Sequence, residues 1–288
     1  MVTVKANAKI NLTLDILSKR SDGYHEVEMV MQSVGLFDTI RMERQQTSIS
    51  LRMDVQGLLA DETNLAWKAA RLFLDVYKIQ EGVSIEIEKR IPIAAGLAGG
   101  SADAAGVLIG MNRLFGMELT AKELCALGEQ IGSDVPFCIE GGTMLATGRG
   151  EILRRLSDLQ PLFVVLAKPP VSVSTAWAYK KYDDTGALYH PDTKAMIKAL
   201  SERRVDDVAN NLANVLEEVT HKAHPIIEAY KRVLRESGTM ASLMSGSGPT
   251  VFALAKTKAE ADYAATALSK DYPEAAVFVV PTTGRNNI

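Results

Sequence analysis

The alternation of apolar and polar residues is strictest over residues 8–16, where Ile10, Leu12 and Leu14 occupy every second position. A period of two predicts a β-strand with one buried face. The opposite face of that strand is polar and carries Lys9, Asn11, Thr13 and Asp15.

The remainder of the first half predicts more strands and three helices. Residues 20–23, Arg-Ser-Asp-Gly, form a turn signal,. Further strands are predicted at 24–34, 37–43, 47–55 and 83–89. The segment 61–64 leads into an amphipathic helix whose apolar side carries Leu65, Ala69, Leu72 and Val76,. Two more helices are predicted at 101–115 and 120–131.

A break near residues 156–161 divides the chain into predicted domains at 1–157 and 158–288, and the run 162–167 opens the second as a strand,. Helices are predicted there at about 175–183, 193–203, 205–218, 225–237 and 257–270, and strands at 240–244, 249–255 and 276–280. Helices layered on a mixed sheet indicate an α+β fold.

Composition adds the broad class. The chain has 288 residues, 47% of them hydrophobic, and a formal net charge of -3, which is typical of a soluble globular protein of one or two domains. No signal peptide and no apolar run of about 20 residues is recognised, so we expect a cytoplasmic protein without a membrane span. The slightly acidic balance, without basic clusters, argues against nucleic acid as the main partner but leaves room for one bound nucleotide.

The cysteines and histidines of the sequence do not indicate a metal site or a redox site. Cys125 and Cys138 match no zinc or redox spacing, and we expect two reduced, buried thiols,. His221 and His224 stand three residues apart in a helical stretch and could share a metal, but no third ligand is apparent, so we interpret them as surface residues. We predict no protein-held metal.

The richest chemical signal is the run 92–105, in which a glycine loop leads into an alanine-rich helix. Gly96, Gly99 and Gly100 are suited to positive φ, and Ser101 to the helix start, where free N–H groups and the helix dipole favour phosphate oxygens. The loop is neither a P-loop nor a dinucleotide fingerprint. On composition alone, a tight turn with a close helix contact is an equally good interpretation. The predicted phosphate contacts are Pro92, Ile93, Ala94, Ala95, Gly96, Leu97, Ala98, Gly99, Gly100, Ser101 and Ala102.

Three ordered segments resemble the motifs of the GHMP kinases, the small-metabolite kinases that include galactokinase, homoserine kinase and mevalonate kinase. They are residues 8–12 with 20–25, the run 92–105, and residues 243–250. The forms GLAGGSADAA and RSDGYH look most like the branch that phosphorylates 4-diphosphocytidyl-2-C-methyl-D-erythritol in the non-mevalonate isoprenoid pathway. The resemblance implies an N-terminal domain like the second domain of ribosomal protein S5, a ferredoxin-like C-terminal domain, and an active site in the cleft between them.

The resemblance also implies a chemistry, the transfer of the γ-phosphoryl group of ATP to the 2-hydroxyl of that substrate. Asp134 matches the aspartate that accepts the hydroxyl proton, and Lys9 the lysine that accompanies it and meets the developing charge,. A helix cap for Asp134 and an exposed strand lysine for Lys9 are the plainer interpretations. Mg²⁺ is expected to arrive with ATP, because no acidic ligand besides Asp134 is recognised.

Substrate recognition is carried over in the same way. Tyr24 and Tyr179 match the rings that sandwich the cytosine, with Trp177 as an alternative to Tyr179, and His25 matches the residue that reads the edge of the base,. Asn64 resembles the adenine-contacting segment. Further substrate contacts are expected at Asn11, Asp134, Gly246 and Ser247.

The expected partner is therefore a small molecule that carries a cytidine diphosphate, and the oligomeric state, monomer or homodimer, stays open. Two alternatives remain. One is a GHMP kinase for another small alcohol, and the other is a non-catalytic module that binds a nucleotide or RNA, since the N-terminal fold is shared with a ribosomal domain. The presence of both Lys9 and Asp134 and the lack of a basic face speak against the second.

Overall fold

Two β-sheets with helices packed against them make up the chain in a computed structural model that describes residues 1–55 and 59–286. The strands of the described residues are β1 (Val2–Lys19), β2 (His25–Gln45), β3 (Ile49–Met53), β4 (Gly82–Glu88), β5 (Thr143–Thr147), β6 (Ile152–Arg155), β7 (Phe163–Lys168), β8 (Ala213–Asn214), β9 (Ala241–Met244), β10 (Val251–Ala255) and β11 (Ala276–Pro281). The helices are α1 (Leu65–Val76), α2 (Gly99–Phe115), α3 (Ala121–Gly128), α4 (Val135–Glu140), α5 (Thr175–Thr185), α6 (Thr193–Ser201), α7 (Val205–Asn210), α8 (Val215–Ala223), α9 (Ile226–Glu236) and α10 (Lys258–Asp271). This mixture confirms the predicted α+β class.

The first sheet has the order β3-β4-β2-β1-β8, with β5 paired to β2 and β6 to β5. Its centre is the long antiparallel hairpin of β1 and β2, so the strands predicted separately at 24–34 and 37–43 are one element. The hairpin register shifts between Asn7 and Lys9 and again between Asn11 and Thr13. Such irregularities bend a strand and redirect a side chain, and here they flank Lys9.

Over residues 8–16 both faces of β1 are buried, which corrects the expectation of a single buried face. Lys9, Asn11 and Asp15 are as enclosed as the apolar residues between them. The cover comes from the second half of the chain, where His190 bonds Asp15 through a 2.7 Å Nδ1···Oδ1 contact and Gly246 lies against Lys9. Long-range cover of this kind leaves no mark on local periodicity.

The second sheet is antiparallel, with the order β11-β7-β10-β9. The strands predicted at 240–244, 249–255 and 276–280 are confirmed within a few residues, and helices α9 and α10 pack against this sheet. Two-residue β8, although late in the chain, pairs in parallel with β1 through Thr13 and Leu14. The first sheet is therefore completed by the second half of the chain, and the predicted division after residue 157 stays a prediction.

The predicted helix 205–218 was wrong as a single element, because the chain leaves the helix after Asn210 and forms β8 before α8 begins. The Asn214 side chain caps α8 by accepting the Leu216 N–H at 3.0 Å, and asparagine favours such caps over helix interiors. The short α4 and strands β5 and β6 were not predicted.

The apolar side predicted for α1 is confirmed at Ala69, which is buried, and in part at Leu65 and Leu72, which are half-buried against the core. The buried residues are Ala66, Ala69, Ala70, Phe73 and Leu74, whereas Val76 is exposed. Small alanines mark this side because α1 packs closely against α2.

The two cysteines are free, and Cys138 is buried while Cys125 is only half-buried. Burial raises the pKa of the Cys125 thiol to about 12. None of the helices in the described residues combines the length and the apolar character that crossing a membrane requires.

Candidate active site

A cleft of about 1190 Å³ brings most of the predicted site residues together. Residues from β1, β2, α1, α2 and α5 line it, together with the glycine loop, defined here as residues 92–98, and the second glycine loop, residues 245–248. The predicted residues on its wall include Lys9, Tyr24, His25, Asn64, Asp134, Tyr179, Gly246 and Ser247. Leu97, Ala102 and Asn11 are not on the wall, because all three are buried behind it.

Positive φ angles in the glycine loop occur at Ala94 (51°), Gly96 (73°) and Ala98 (59°). The expectation of positive φ at Gly99 and Gly100 was wrong, since both lie in the first turn of α2. Ser101 likewise does not start the helix.

The first turn of α2 leaves backbone donors available. The Ala102 N–H makes the first bond of the helix, to Ala98 O at 2.8 Å, so the N–H groups of Gly99, Gly100 and Ser101 have no partner within the helix,. These N–H groups and the positive end of the helix dipole make the glycine loop suitable for an anion.

A buried ionic cluster holds both ends of the glycine loop. Asp38 Oδ1 accepts the Arg90 and Ile91 N–H groups at 2.5 and 2.8 Å, just before the loop. Lys89 Nζ lies 2.5 Å from Asp38 and 2.6 Å from Asp103 in α2. Burial raises the pKa of Asp103 to about 7, and Asp38 adds to the rise against the attraction of Lys89. The sequence analysis missed this cluster, for which the only signal was an acid inside an alanine-rich helix.

The two glycine loops touch each other. The Ser245 hydroxyl donates to Gly96 O at 3.0 Å, and a Cβ added at Gly96 would lie 2.1 Å from Ser245 O. Asn214 Nδ2 donates to the carbonyl oxygens of Met244 and Gly246, each at 2.8 Å, and so attaches the second glycine loop to the edge of β1.

Lys9 and Asp134 meet between the loops. Lys9 Nζ lies 3.8 Å from Asp134 Oδ2 and donates to Asn11 Oδ1 at 2.6 Å. The Lys9 backbone N–H also bonds Leu97 O at 3.2 Å, which ties β1 to the glycine loop. In this arrangement Asn11 orients Lys9 instead of reaching the cleft.

Asp134 occupies the N-cap position of α4 but makes no side-chain cap hydrogen bond. Pro136, in the first turn of the helix, supplies no N–H for such a cap,. The carboxylate is 29% exposed and is therefore available to a group in the cleft.

Aromatic rings gather at another part of the cleft wall. Tyr24 is 53% exposed, and the Arg149 guanidinium lies 5.0 Å from the centre of its ring. His25 is buried, with its ring centre 4.9 Å from that of Tyr179 at an angle of 40°. Burial raises the pKa of Tyr179, and the charge of Asp134 adds to the rise. We call Tyr24, His25 and Tyr179 the aromatic group.

Trp177 stands apart from this group. Its ring lies 6.0 Å from His224, and it is not on the cleft wall. Of the two rings considered from the sequence, the structure brings Tyr179 to the cleft.

Asn64 lies on the cleft wall, and both polar atoms of its side chain are hydrogen-bonded within the protein. Oδ1 accepts the Ala66 N–H at 2.9 Å as the cap of α1, and Nδ2 donates to Leu59 O at 3.0 Å. Through these two bonds Asn64 fixes the backbone around residues 63–65, which form part of the cleft wall.

The oxygen donors of the cleft suit a magnesium ion that is brought by phosphates. Over residues 1–55 and 59–286, no group of three or more His, Cys, Asp or Glu side chains is arranged to hold a metal. Ser101 and Asp134 are both on the wall, and Mg²⁺ commonly takes one or two protein oxygens together with phosphates and water.

Comparison with known proteins gives two family matches. Residues 64–142 match the GHMP kinases N terminal domain, and residues 196–274 match the GHMP kinases C terminal model. A protein of Acetivibrio thermocellus named 4-diphosphocytidyl-2-C-methyl-D-erythritol kinase is 47% identical over 260 residues, which cover 90% of this chain and 92% of that one. One of the same name from Geobacillus thermodenitrificans is 49% identical, with 88% of each chain covered.

Solved structures agree in fold. A crystal structure of 4-(cytidine 5'-diphospho)-2C-methyl-D-erythritol kinase superimposes with a TM-score of 0.83 at 33% identity, covering 98% of this chain and all of the other. A homoserine kinase from Cytophaga hutchinsonii reaches 0.81 at 20% identity, covering 99% and 95% of the two chains. The latter likeness concerns the fold.

Proposed function

Because this chain belongs to the GHMP kinase family, we propose that it is a cytoplasmic, ATP-dependent kinase of 4-diphosphocytidyl-2-C-methyl-D-erythritol. The reaction transfers the γ-phosphoryl group of ATP to the 2-hydroxyl of this substrate, a step in the formation of isoprenoid precursors. Relatives of that name cover about nine-tenths of the chain.

One observation supports the proposal most directly. A single cleft runs from the N-terminus of α2 to the aromatic group, and Asp134 lies on the same wall. Phosphoryl transfer demands that a phosphate site, a proton acceptor and a site for the rest of the acceptor molecule be held in fixed relation. A nucleotide-binding module without catalysis would have no need of the buried lysine beside that aspartate.

In the proposed mechanism, Asp134 accepts the proton of the attacking hydroxyl. Its carboxylate is free for this task because it caps no helix. Lys9 is 6% exposed in its side chain and is oriented by Asn11, so its charge is fixed next to the site of attack. A preorganised cation stabilises the charge that develops during transfer without reorganisation.

We assign the phosphates of ATP to the N–H groups of Gly99, Gly100 and Ser101, with the positive φ of Gly96 keeping the loop close to the ligand,. Asn64, on the wall of the same cleft, is assigned to the adenine. Mg²⁺ would arrive with the phosphates, where the Ser101 hydroxyl on the same wall could add one oxygen ligand, and the bound ion would neutralise phosphate charge,.

The aromatic group is assigned to the cytosine. An exposed Tyr24 ring and the Tyr179 ring offer flat apolar surfaces for stacking, and His25 offers a ring nitrogen to the base edge,. Gly246 and Ser247 are assigned to the methylerythritol end, since Gly246 adjoins Lys9.

The test is release of ADP from ATP in the presence of four acceptors, namely the cytidylyl substrate, homoserine, galactose and mevalonate. We expect turnover with the cytidylyl substrate and competition by CMP. Turnover with another of the four would leave the kinase assignment and overturn the substrate. No ADP release with any acceptor, from a protein that still binds ATP, would favour a non-catalytic module.

A further inference from the structure

Asp183 forms part of the cleft wall next to the aromatic group. It lies one helical turn after Tyr179 in α5, so both side chains emerge on the same side of the helix,. Its Oδ1 is 2.6 Å from His25 Nε2, and its Oδ2 is 2.5 Å from Lys19 Nζ. Lys19 and His25 are directly paired across the β1–β2 ladder. Two neighbouring strands therefore each supply one partner to the Asp183 carboxylate, one for each oxygen.

The direction of the hydrogen bonds follows from the charges. The bonds from Lys19 and then from His25 lower the pKa of Asp183, so this carboxylate is ionised and can only accept. His25 Nε2 must then carry the hydrogen. In the neutral ring the other nitrogen, Nδ1, is an acceptor. Within the part of the chain that the structure describes, His25 Nδ1 has no hydrogen-bond partner, and His25 lines the cleft.

We propose that Asp183 is a positioning residue that holds His25 with its hydrogen on Nε2, and that it thereby makes the cleft select a base with an amino group over one with a carbonyl. The inference rests on the proposed function, which brings a base to this wall. The amino group of cytosine donates to a bare Nδ1, whereas the corresponding carbonyl of uracil is an acceptor and would face another acceptor. Discrimination arises from the mismatch as much as from the bond, because a buried acceptor without a donor is costly.

Packing against Tyr179 holds His25 Nδ1, the nitrogen proposed to meet the base, in a fixed position. The Tyr179 ring lies against the His25 ring, and His25 is 8% exposed. Its orientation is thus fixed by Tyr179 and its hydrogen by Asp183, two residues one turn apart on α5. The charged and titratable side chains that meet this arrangement are Lys19, Asp183 and Tyr179.

The direct test is the tautomer of His25, read from ¹⁵N–¹H correlation spectra recorded above neutral pH. The chain has 4 histidines, and His25→Gln identifies the signals of His25. We expect a protonated Nε2 and a bare Nδ1 in the wild-type protein. A hydrogen on Nδ1, alone or together with one on Nε2, would overturn the inference without any mutation in the cleft.

The functional test compares inhibition by CMP and by UMP in Asp183→Asn and in a matched control. An asparagine can present either its carbonyl or its amide to Nε2, so both tautomers of His25 become accessible. We expect the preference for CMP over UMP to fall roughly 3- to 10-fold, the worth of one neutral hydrogen bond, with KM for ATP unchanged. Asp184→Asn is the control, because it makes the same charge change one residue away. Over residues 1–55 and 59–286, the ion pair of Asp184 is with exposed Lys181, at 3.6 Å.

The outcomes separate the two ideas. A wild-type enzyme that turns over the cytidylyl substrate and prefers CMP, but whose Asp183→Asn variant keeps both the tautomer and the preference, would overturn the inference alone. Equal losses in Asp183→Asn and Asp184→Asn would also overturn it, because a general charge effect would then explain them. A wild-type protein that neither turns over that substrate nor binds CMP would overturn the proposed function, and the inference with it.

Discussion

Gly96→Ala tests the contact between the two glycine loops. Gly96 has a φ of 73°, and an added Cβ would lie 2.1 Å from Ser245 O and 3.1 Å from Gly248 N. Both neighbours are backbone atoms, which cannot rotate away as the end of a side chain would. One of the loops must therefore shift by about 1 Å, because a carbon and an oxygen in contact normally stay beyond about 3 Å.

A matched control isolates this contact. Gly116, at the end of α2, has a similar φ of 64°, but an added Cβ would meet nothing within 4 Å. Gly116→Ala therefore carries only the cost of a left-handed alanine, about 1 kcal/mol, or a fall in Tm of about 2–4 °C for a chain of this size. Gly96→Ala adds an overpacking cost of about 1–3 kcal/mol to this, so its Tm should fall by about 4–16 °C in all.

The kinetic effect should be larger than the loss of stability. A displacement of about 1 Å at a phosphate site can lower the rate about 100-fold, and the loss should appear in kcat/KM for ATP at a temperature where the variant is folded. Thermal unfolding and steady-state kinetics of both variants make the comparison. Equal Tm shifts together with normal ATP kinetics for Gly96→Ala would refute the argument that the loops are in rigid contact.

Three further predictions concern the cleft. Asp134→Asn should lower kcat on the order of 10²- to 10⁴-fold with ATP binding nearly intact. A double variant with Lys9→Ala should be little worse than either single variant, and full additivity of the two losses in kcat would argue for separate roles. Tyr179→Ala or Tyr24→Ala should weaken binding of the cytidylyl substrate by roughly 1–3 kcal/mol, seen mainly as a higher KM, while Tyr→Phe at either position should change KM little. An unchanged KM in both alanine variants would contradict the assignment of the base to this wall. The pKa of Asp103 is raised to about 7 from about 4 in an unfolded chain, so the folded protein holds an extra proton between these values and this group's contribution to stability falls as pH rises toward 7. Thermal unfolding from pH 5 to 8 should show Asp103→Asn gaining on the wild type as pH rises, and parallel curves would contradict the assignment.

The sequence predicted most elements of the fold because their signals are local. The strand over residues 8–16 and the strands of the second sheet are marked by short apolar or alternating segments, and the structure confirms them as strands. The break in the helix at residues 211–214 and the burial of Lys9 depend on partners far along the chain. Local periodicity does not register such partners.

The residues of the candidate site show the same difference between local and long-range signals. Motif resemblance singled out Lys9, Asp134 and the aromatic group, all of which line one cleft. It missed Asp183, Lys89 and other residues whose importance lies in what they touch. The i, i+4 spacing of Tyr179 and Asp183 was a visible signal, but it gains meaning only when His25 is brought to α5 by the β1–β2 hairpin.

The contact between Ser245 and Gly96 joins residues 149 positions apart, and this separation has a consequence during synthesis. At about 5–20 residues per second, Ser245 follows Gly96 out of the ribosome by about 7–30 s. Throughout that interval the nascent N-terminal half has its glycine loop without the second loop beside it, and the β1 edge without Asn214. The contact between the two glycine loops therefore forms late in the life of each new chain, well after the strand that carries Lys9 has been made.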